Sequence, residues 1–179
     1  MNVDKIEVGT YKCNCYILKK NNKIIIIDPG DEYKKILNKI ENNDVIAILI
    51  THSHFDHIGA LNNFIKDYSN IPVYKYANLE EKEYTVGDFK FRVIYTQGHT
   101  DDSVSYYFYE DNIMFTGDFI FNSSIGRCDF ENSSIDEMKK SILKIKKINK
   151  NIILYPGHGD KTTLDKEKQN NFYFNNEWN

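Results

Sequence analysis

The chain has few cysteines and no long apolar run, and each scarcity argues against a class of protein. Its three cysteines, Cys13, Cys15 and Cys128, are an odd number and too few for a disulfide scaffold, which favours a reducing compartment. The longest apolar run, residues 45–50, is too short to cross a membrane. The first residues lack the basic and apolar regions of a secretory signal. We therefore expect a cytoplasmic protein that does not enter a membrane.

An excess of basic charge is also missing. The formal net charge is −3, and arginine contributes only Arg92 and Arg127 to the 23 basic residues. A protein with this balance has no electrostatic attraction to nucleic acid, so we expect no such partner. The length of 179 residues, with 41% hydrophobic residues, predicts one globular domain spanning residues 1–179.

Runs that are typical of strands alternate with stretches of helical periodicity, which predicts an α/β fold. The expected strands are residues 3–8, 11–18, 23–27, 45–50, 71–76, 104–109, 113–115 and 151–155, with a hairpin around residues 86–88. Helices are expected at residues 31–41, across residues 58–65 and from Ser134, which opens a capping box. The apolar face of this last helix would be Ile135, Met138, Ile142, Leu143 and Ile145. The tail, residues 163–178, is expected to form a short helix and to contribute aromatic side chains that anchor it to the core.

All five histidines lie in three short motifs, at residues 51–57, 98–100 and 156–159. The first motif directly follows the run 45–50, whose continuous apolar character predicts a strand buried on both faces. Asp118 follows another short predicted strand. The ligand-type side chains in these segments are His52, His54, Asp56, His57, His99, Asp118 and His158. Imidazole and carboxylate are ligands of borderline divalent metals, whereas structural zinc sites favour cysteine, so a catalytic metal centre is indicated.

The spacing of the first motif favours two ions rather than one. His52 and His54 lie on one side of an extended chain, while Asp56 and His57 fall where the chain turns into a helix. Each zinc ion takes about four ligands, so the seven side chains fit two ions if Asp118 bridges them. A hydroxide held between two metals is a nucleophile at neutral pH, because catalytic zinc lowers the pKa of bound water to about 7. The sequence thus predicts hydrolysis of an activated carbonyl or a phosphoester.

The motifs, in their order, resemble the signature of the metallo-β-lactamase superfamily. Residues 51–57 resemble its His-x-His-x-Asp-His motif, and residues 98–100, 116–118 and 156–159 resemble the later motifs. Residues 28–30 are similar to its early Asp-containing turn, and residues 14–16 to its second strand. The resemblance covers essentially the whole chain. It implies a four-layered αβ/βα sandwich, in which two mixed β-sheets are flanked by helices and the site lies at one edge.

Within that superfamily, residues 117–121, 124–130 and 157–163 are similar to the short glyoxalase II-type (hydroxyacylglutathione hydrolase-like) hydrolases. The resemblance implies a first metal held by His52, His54 and His99, a second held by Asp56, His57 and His158, and Asp118 as the bridge. It also implies that Arg127 binds a substrate carboxylate, although a plain surface arginine is the alternative. For Asp28, a supporting role behind a metal ligand stands beside simple capping of a turn.

The expected activity is hydrolysis of a small acyl or thioester substrate such as S-lactoylglutathione, by a hydroxide that bridges two zinc ions, or iron or manganese. Asp56 would hold the second metal and orient the nucleophile, and Asp118 would set the metal separation. The chain ends soon after His158, so the C-terminal helical domain that binds glutathione in full-length glyoxalase II is expected to be absent. Asp101-Asp102 stands where the group usually has Pro-Gly, and Cys128 where it has Thr.

Three alternatives remain at this point. A persulfide dioxygenase with a single iron shares these motifs, and a lactonase or β-lactamase shares the fold. The third is a metal-stabilised binding module without turnover. The acidic balance disfavours the nuclease branch of the superfamily. The sequence sets no expectation for the oligomeric state.

Overall fold

The computed structural model describes residues 1–41 and 43–176. The strands in these residues are β1 (Asn2–Val8), β2 (Cys13–Lys20), β3 (Lys23–Ile27), β4 (Asp44–Leu49), β5 (Val73–Tyr74), β6 (Glu83–Val86), β7 (Phe89–Tyr95), β8 (Val104–Phe108), β9 (Ile113–Gly117), β10 (Ile120–Phe121), β11 (Ser124–Ile125), β12 (Ile153–Pro156) and β13 (Thr162–Thr163). The helices are α1 (Tyr33–Ile40), α2 (Phe55–Ile58), α3 (Leu61–Asp67), α4 (Ile135–Lys146), α5 (Leu164–Asn170) and α6 (Phe172–Asn175), with a 3-10 turn at Tyr76–Asn78.

The strands form two mixed sheets and a small hairpin. The first sheet has the order β1-β2-β3-β4-β5, the second has the order β13-β12-β9-β8-β7-β6, and β10 pairs with β11. Parallel pairing joins β3 to β4, β4 to β5 and β9 to β12. Each sheet is therefore mixed, as the resemblance implied.

Alternation along β3 shows how the first sheet separates two layers. Ile25 and Ile27 face the core between the sheets, which they share with side chains of the second sheet such as Phe91, Phe108 and Phe115. Ile24 and Ile26 point to the opposite face, where helices α1 and α3 contribute Ile36, Ile40 and Phe64. Successive residues of a strand face opposite sides, so a continuous run of isoleucine serves both cores.

The outer face of the second sheet is covered by α4, α5 and α6. Met114 and Leu154 of this sheet pack against a helical cluster that includes Met138, Ile142, Ile145, Leu164 and Phe174. Ser134 caps α4 by accepting a hydrogen bond from the backbone N–H of Glu137. Two sheets enclosed by two layers of helices make the predicted four-layered αβ/βα sandwich, which is confirmed.

Several details differ from the expectations, including the helix expected across residues 58–65, which the structure divides into α2 and α3. Leu143 is 59% exposed rather than part of the apolar face of α4, because it lies about 100° around the helix from Ile142. The strand expected at residues 71–76 is limited to Val73–Tyr74, since the chain enters the 3-10 turn. The tail contains two short helices, and Phe174 supplies its buried aromatic side chain. Trp178, which was included in the expected anchor, lies outside the described residues.

The described helices include none with the length and apolar character needed to cross a membrane.

The C-terminal ends of several strands meet at one edge of the sandwich. The two sheets are joined there by Asn14 at the start of β2. The backbone N–H of Asn14 donates to the carbonyl of Gly157 at 2.7 Å, and its side-chain amide donates to the carbonyl of Pro156 at 3.0 Å. Tyr16 adds a hydrogen bond from its hydroxyl to the same Pro156 carbonyl at 2.6 Å. The strand ends of both sheets are thus held together where the histidine motifs lie.

A candidate metal centre at the edge of the sandwich

The first three-ligand group lies after β4 and in the loop after β7. Nε2 of His52 is 3.2 Å from Nδ1 of His54, and Nε2 of His99 is 3.0 Å from the same Nδ1. One ring nitrogen from each of these three residues lies within 4.8 Å of the other two. The three residues are those predicted for the first metal. Spacing of this kind allows one ion to contact all three nitrogens at once.

The second group combines the start of α2 with the loop after β12. Oδ2 of Asp56 is 3.3 Å from Nε2 of His158 and 3.9 Å from Nε2 of His57. The group contains the three residues predicted for the second metal, again with ligand atoms within 4.8 Å of one another.

Asp118 lies between the two groups. Its Oδ2 is 3.5 Å from Nε2 of His99 and 3.6 Å from Nε2 of His158, and its Oδ1 is 3.4 Å from Nε2 of His57. Gly117, at the end of β9, has a φ of 52°, and this left-handed turn directly precedes Asp118. One carboxylate therefore contacts imidazoles of both groups, which is the arrangement that a bridging ligand needs.

Two buried polar atoms in this centre lack hydrogen-bond partners among the described residues. They are Nε2 of His57 and Oδ1 of Asp118. A buried polar atom left without a hydrogen bond costs about 1–3 kcal/mol, so such atoms at the meeting point of seven ligand-type side chains are typical of a cation-binding site. The residues present thus fit divalent metal ions, both in the kind of donor atom and in the atoms left unpaired.

Hydrogen bonds behind the ring nitrogens orient three of the histidines. Nδ1–H of His57 donates to Oδ2 of Asp28 at 2.9 Å. In the same way, Nδ1–H of His99 donates to the carbonyl of Arg127 at 2.8 Å, and Nδ1–H of His158 donates to the carbonyl of Tyr11 at 3.0 Å. With Nδ1 engaged, Nε2 of each ring is the atom that faces the centre, which is the usual support for a metal-binding histidine.

Asp28 is held in place by Thr51, which follows the end of β4. The carboxylate of Asp28 accepts hydrogen bonds from the backbone N–H of Thr51 at 2.8 Å and from its hydroxyl at 2.6 Å. The backbone of Asp28 has a φ of 51°, a left-handed conformation that is uncommon for a non-glycine residue. Asp28 therefore lies in a turn and also contacts a ligand-type histidine.

Burial and neighbouring charge set the protonation of the centre. Burial lowers the pKa of His52 and His54, which favours the neutral imidazole that binds metal. Burial acts in the same direction on His57, but the nearby carboxylate of Asp118 and the hydrogen bond to Asp28 outweigh it and raise the pKa of His57. Burial disfavours the charged form of Asp118, yet the contact with His57 holds its pKa below the ordinary range. A metal that binds Nε2 of His57 therefore takes the place of a proton.

A cavity of about 480 Å³ opens onto the two groups. Ligand-type side chains line it on the inside: His54, Asp56, His99, Asp118 and His158. Four aromatic residues complete the wall: Tyr11, Phe55, Phe121 and Phe130. The ring of Phe130 lies 5.4 Å from His54 and 5.5 Å from His99, measured between centroids. Sequence reasoning missed these aromatic residues, although Phe55 lies inside the first motif and could have been noticed there.

Arg127 also lines the cavity, but its guanidinium is already paired. Its Nε and Nη2 donate to the two carboxylate oxygens of Asp129 at 2.9 and 2.8 Å, and both side chains are largely exposed. The guanidinium carbon lies 4.7 Å from the centre of the Phe130 ring. The expected carboxylate-binding residue is thus at the cavity wall and is held by an acidic neighbour.

The three cysteines are free, and none of them is among the residues that line the cavity. Cys13 and Cys15 are buried in the core beneath the first sheet, as expected for small packing residues. Sγ of Cys13 lies 3.5 Å from Nδ1 of His57, a contact that the sequence did not predict.

The sandwich and the His/Asp cluster at its edge define the class of metallo-hydrolases. A family model described as the metallo-beta-lactamase superfamily matches residues 8–85 and 71–158 of the sequence. The chain therefore belongs to the metallo-beta-lactamase superfamily, and this membership supports a metal-dependent hydrolase.

Individual proteins are similar over nearly the whole chain. Hydroxyacylglutathione hydrolase GloC of Haemophilus influenzae is 28% identical over 209 aligned positions, which cover 98% of this chain and 99% of that protein. The crystal structure of the B3 metallo-beta-lactamase BLEG-1 has a TM-score of 0.92 and 30% identity, covering 98% of this chain and 100% of that one. The structure of TTHA1623 in a di-iron-bound form has a TM-score of 0.86 and 27% identity, covering 94% and 98%.

Proposed function

We propose that the protein hydrolyses thioesters, or closely related acyl substrates, with two divalent metal ions bound at the edge of the sandwich. The observation that carries this proposal is the position of Asp118, whose carboxylate contacts imidazoles of both three-ligand groups and has an unpaired buried oxygen. The similarity to a protein named hydroxyacylglutathione hydrolase supports the choice of a thioester.

In this proposal His52, His54 and His99 hold one ion, Asp56, His57 and His158 hold the other, and Asp118 belongs to both. We propose zinc for both ions. Iron is the main alternative, because a similar structure was solved in a di-iron-bound form. When bound, such ions supply a hydroxide at neutral pH and polarise a carbonyl oxygen.

The protein's own residues set the geometry for this chemistry. Asp28 fixes the ring of His57, while the carbonyls of Arg127 and Tyr11 fix His99 and His158. Held in this way, the histidines need little rearrangement when metal binds, and such preorganisation favours catalysis. Asp56 is proposed to orient the attacking water as well as to bind metal. The four aromatic residues of the cavity wall place apolar surface beside these ligand-type side chains.

Arg127 is proposed to bind a carboxylate of the substrate by a two-point contact. Its planar guanidinium suits such binding, and its place at the cavity wall is within the site. Asp129 accepts hydrogen bonds from Nε and Nη2, so a substrate carboxylate either uses the remaining N–H groups on Nη1 and Nη2 or replaces Asp129. The proposal therefore expects Arg127→Ala to raise KM for an anionic thioester and to leave KM for a neutral thioester nearly unchanged.

The deciding experiment combines elemental analysis of the purified protein with a hydrolysis assay. The substrates are S-lactoylglutathione and a small acetyl thioester. About two metal ions per chain together with thioester hydrolysis is the expected result. Asp56→Asn should lose activity and metal, whereas Asp160→Asn, an exposed acidic residue outside the two groups, should lose neither. One iron per chain, with oxygen uptake on a persulfide and no thioester hydrolysis, would overturn the proposal.

Hydrolysis of a β-lactam ring is a second candidate function. The observation that favours it is the similarity to the B3 metallo-beta-lactamase BLEG-1. A panel containing a penicillin, a cephalosporin, a lactone and the two thioesters separates the candidates. Turnover of a β-lactam that exceeds thioester turnover in kcat/KM would make this second function the main one.

A further inference from the structure

We infer that Tyr11 and Phe55 form a binding surface for an apolar substituent of the substrate. The preferred substrate would then carry an aromatic or branched aliphatic group near its scissile bond. This inference deepens the proposed function and rests on it. It goes beyond the ligand set, because neither residue contributes a side-chain metal ligand.

The first observation is the exposure of the two rings. Tyr11 is 63% exposed and Phe55 is 67% exposed, although each is a large side chain that would normally bury more of its surface. The rings contact each other edge to face, with centroids 5.4 Å apart. They come from separate segments, the turn between β1 and β2 and the first residue of α2. Two segments of the chain thus meet to present an aromatic surface to solvent.

This surface belongs to the same cavity as the proposed metal groups, since both rings line it together with Asp56 and His158. The backbone ties the rings to the second group. The carbonyl of Tyr11 accepts the hydrogen bond from Nδ1–H of His158, and Phe55 directly precedes Asp56. A substituent that rests on these rings is therefore held at a set distance from the reacting bond. Exposed aromatic side chains clustered at a cleft are typical of binding sites.

The charges around the cavity indicate which substituent fits. Among the residues that line it, Arg127 is the one lysine or arginine, and its guanidinium is paired with Asp129. The cavity wall offers no lysine or arginine beside Tyr11 and Phe55. Phe121 extends the apolar wall near His158, with a ring separation of 6.2 Å. An apolar group loses its contact with water on the rings of Tyr11 and Phe55, whereas a charged group resting on these two rings would be desolvated against apolar carbon. Arg127, the residue proposed to bind a substrate carboxylate, lies over the ring of Phe130.

The test uses two non-hydrolysable thioethers of equal length, one ending in a phenyl ring and the other in a carboxamide. Each is titrated into the metal-loaded full chain by calorimetry. The phenyl thioether should bind about tenfold more tightly, which corresponds to burial of part of one ring. Phe55→Ala and Tyr11→Ala should each remove most of this preference. Tyr11→Ala retains the backbone carbonyl that orients His158, so the loss would report on the ring.

A matched control is available in Phe172, which is 54% exposed on α6 and does not line the cavity. Phe172→Ala should keep the full preference for the phenyl thioether. Phe55→Leu should keep part of it, because leucine still offers an apolar surface. Equal binding of the two thioethers, or an unchanged preference in both Phe55→Ala and Tyr11→Ala, would overturn the inference.

Failure of the inference can be told apart from failure of the proposed function. The binding preference is measured without turnover, and the metal content and the hydrolysis of the acetyl thioester are measured separately. Two metal ions and acetyl thioester hydrolysis without a phenyl preference would reject the role of Tyr11 and Phe55 alone. A protein that hydrolyses no thioester would reject the proposed function, and with it the substrate class inferred here.

Discussion

The carboxylate of Asp28 lies 2.9 Å from Nδ1 of His57, on the side of the imidazole ring away from Asp118. The same carboxylate accepts two hydrogen bonds from Thr51. Asp28, which follows β3, therefore connects Thr51, which follows β4, to the proposed metal ligand His57. His57 is completely buried, so its ring has no water to replace this partner.

Replacement of Asp28 is expected to weaken metal binding. Asn tolerates the left-handed backbone at this position, and its one oxygen can still accept from the Thr51 N–H. Its NH2 group replaces the oxygen that accepts from the Thr51 hydroxyl and from His57, and it carries no negative charge. We expect Asp28→Asn to lower zinc affinity by about 10- to 100-fold, the usual effect of losing such a supporting partner. The measurement is competition with a chromophoric chelator. Unchanged affinity would show that Asp28 only shapes the turn.

Asp28→Ala separates the two roles further. Alanine removes the contact with His57. It also lacks the short polar side chain that lets Asp or Asn adopt the left-handed backbone at a φ of 51°. We therefore expect an additional loss of about 1–2 kcal/mol of unfolding free energy, measured by urea denaturation of the metal-free protein.

Gly157 is expected to be irreplaceable for a packing reason. A Cβ added there would collide with Oδ1 of Asp118 and come within 2.6 Å of Cε1 of His57. Gly157→Ala should therefore displace one of these side chains and lower metal affinity by about tenfold or more. Metal titration followed by calorimetry measures the change.

Gly159→Ala provides the matched control for Gly157→Ala. A Cβ at this position meets nothing within 4 Å, but the backbone φ is 75°. The substitution should cost about 1 kcal/mol of stability through strain and leave metal affinity unaltered. Equal effects of the two substitutions on metal affinity would contradict the packing argument.

Glu167 on α5 is a fully buried carboxylate that organises the loop preceding Arg127. It accepts hydrogen bonds from the hydroxyl of Thr162 at 2.5 Å, the amide of Asn171 at 2.7 Å and the backbone N–H of Ser123 at 2.9 Å. Glu167→Ala leaves the buried hydroxyl of Thr162 without its acceptor and removes one acceptor each from the Asn171 amide and the Ser123 N–H, so it should destabilise the fold by about 3 kcal/mol. Urea unfolding measures this loss. Asp165→Ala, at an exposed position of the same helix, should change stability by less than about 1 kcal/mol.

The cysteines are expected to react slowly with alkylating reagents. Burial raises the pKa of both Cys13 and Cys128 to about 11, so the reactive thiolate is scarce at pH 8 and increases as the pH approaches that value. Cys128 is half-buried and should be modified first, whereas Cys13 and Cys15 should react only after unfolding. Iodoacetamide labelling at pH 8 and pH 10, followed by mass spectrometry, tests the order. Cys128→Ser should remove the first adduct, and early labelling of Cys15 would contradict the burial argument.

Much of the architecture was predictable because its causes are local. The run of β-branched residues at 23–27 indicated a strand, the continuous apolar run at 45–50 indicated a strand buried on both faces, and the capping box at Ser134 indicated the start of α4. The strand at residues 71–76 was overestimated, because the propensity of the chain gives no sign of where pairing with β4 stops. Leu143 was assigned to the buried face although the helical period places it outside.

The amino-acid sequence by itself determined the fold class and brought seven ligand-type residues into consideration, because strand periodicity and the chemistry of imidazole and carboxylate are properties of short segments. Only the tertiary structure decided which nitrogen of each histidine ring faces the proposed metal centre and that Asp118 lies between its two three-ligand groups. Only the tertiary structure showed that the guanidinium of Arg127 is paired with Asp129. It also decided that Tyr11 and Phe55 meet at the cavity. These relationships depend on how the ends of two sheets come together, and the distances between such ends are set by packing across the whole molecule.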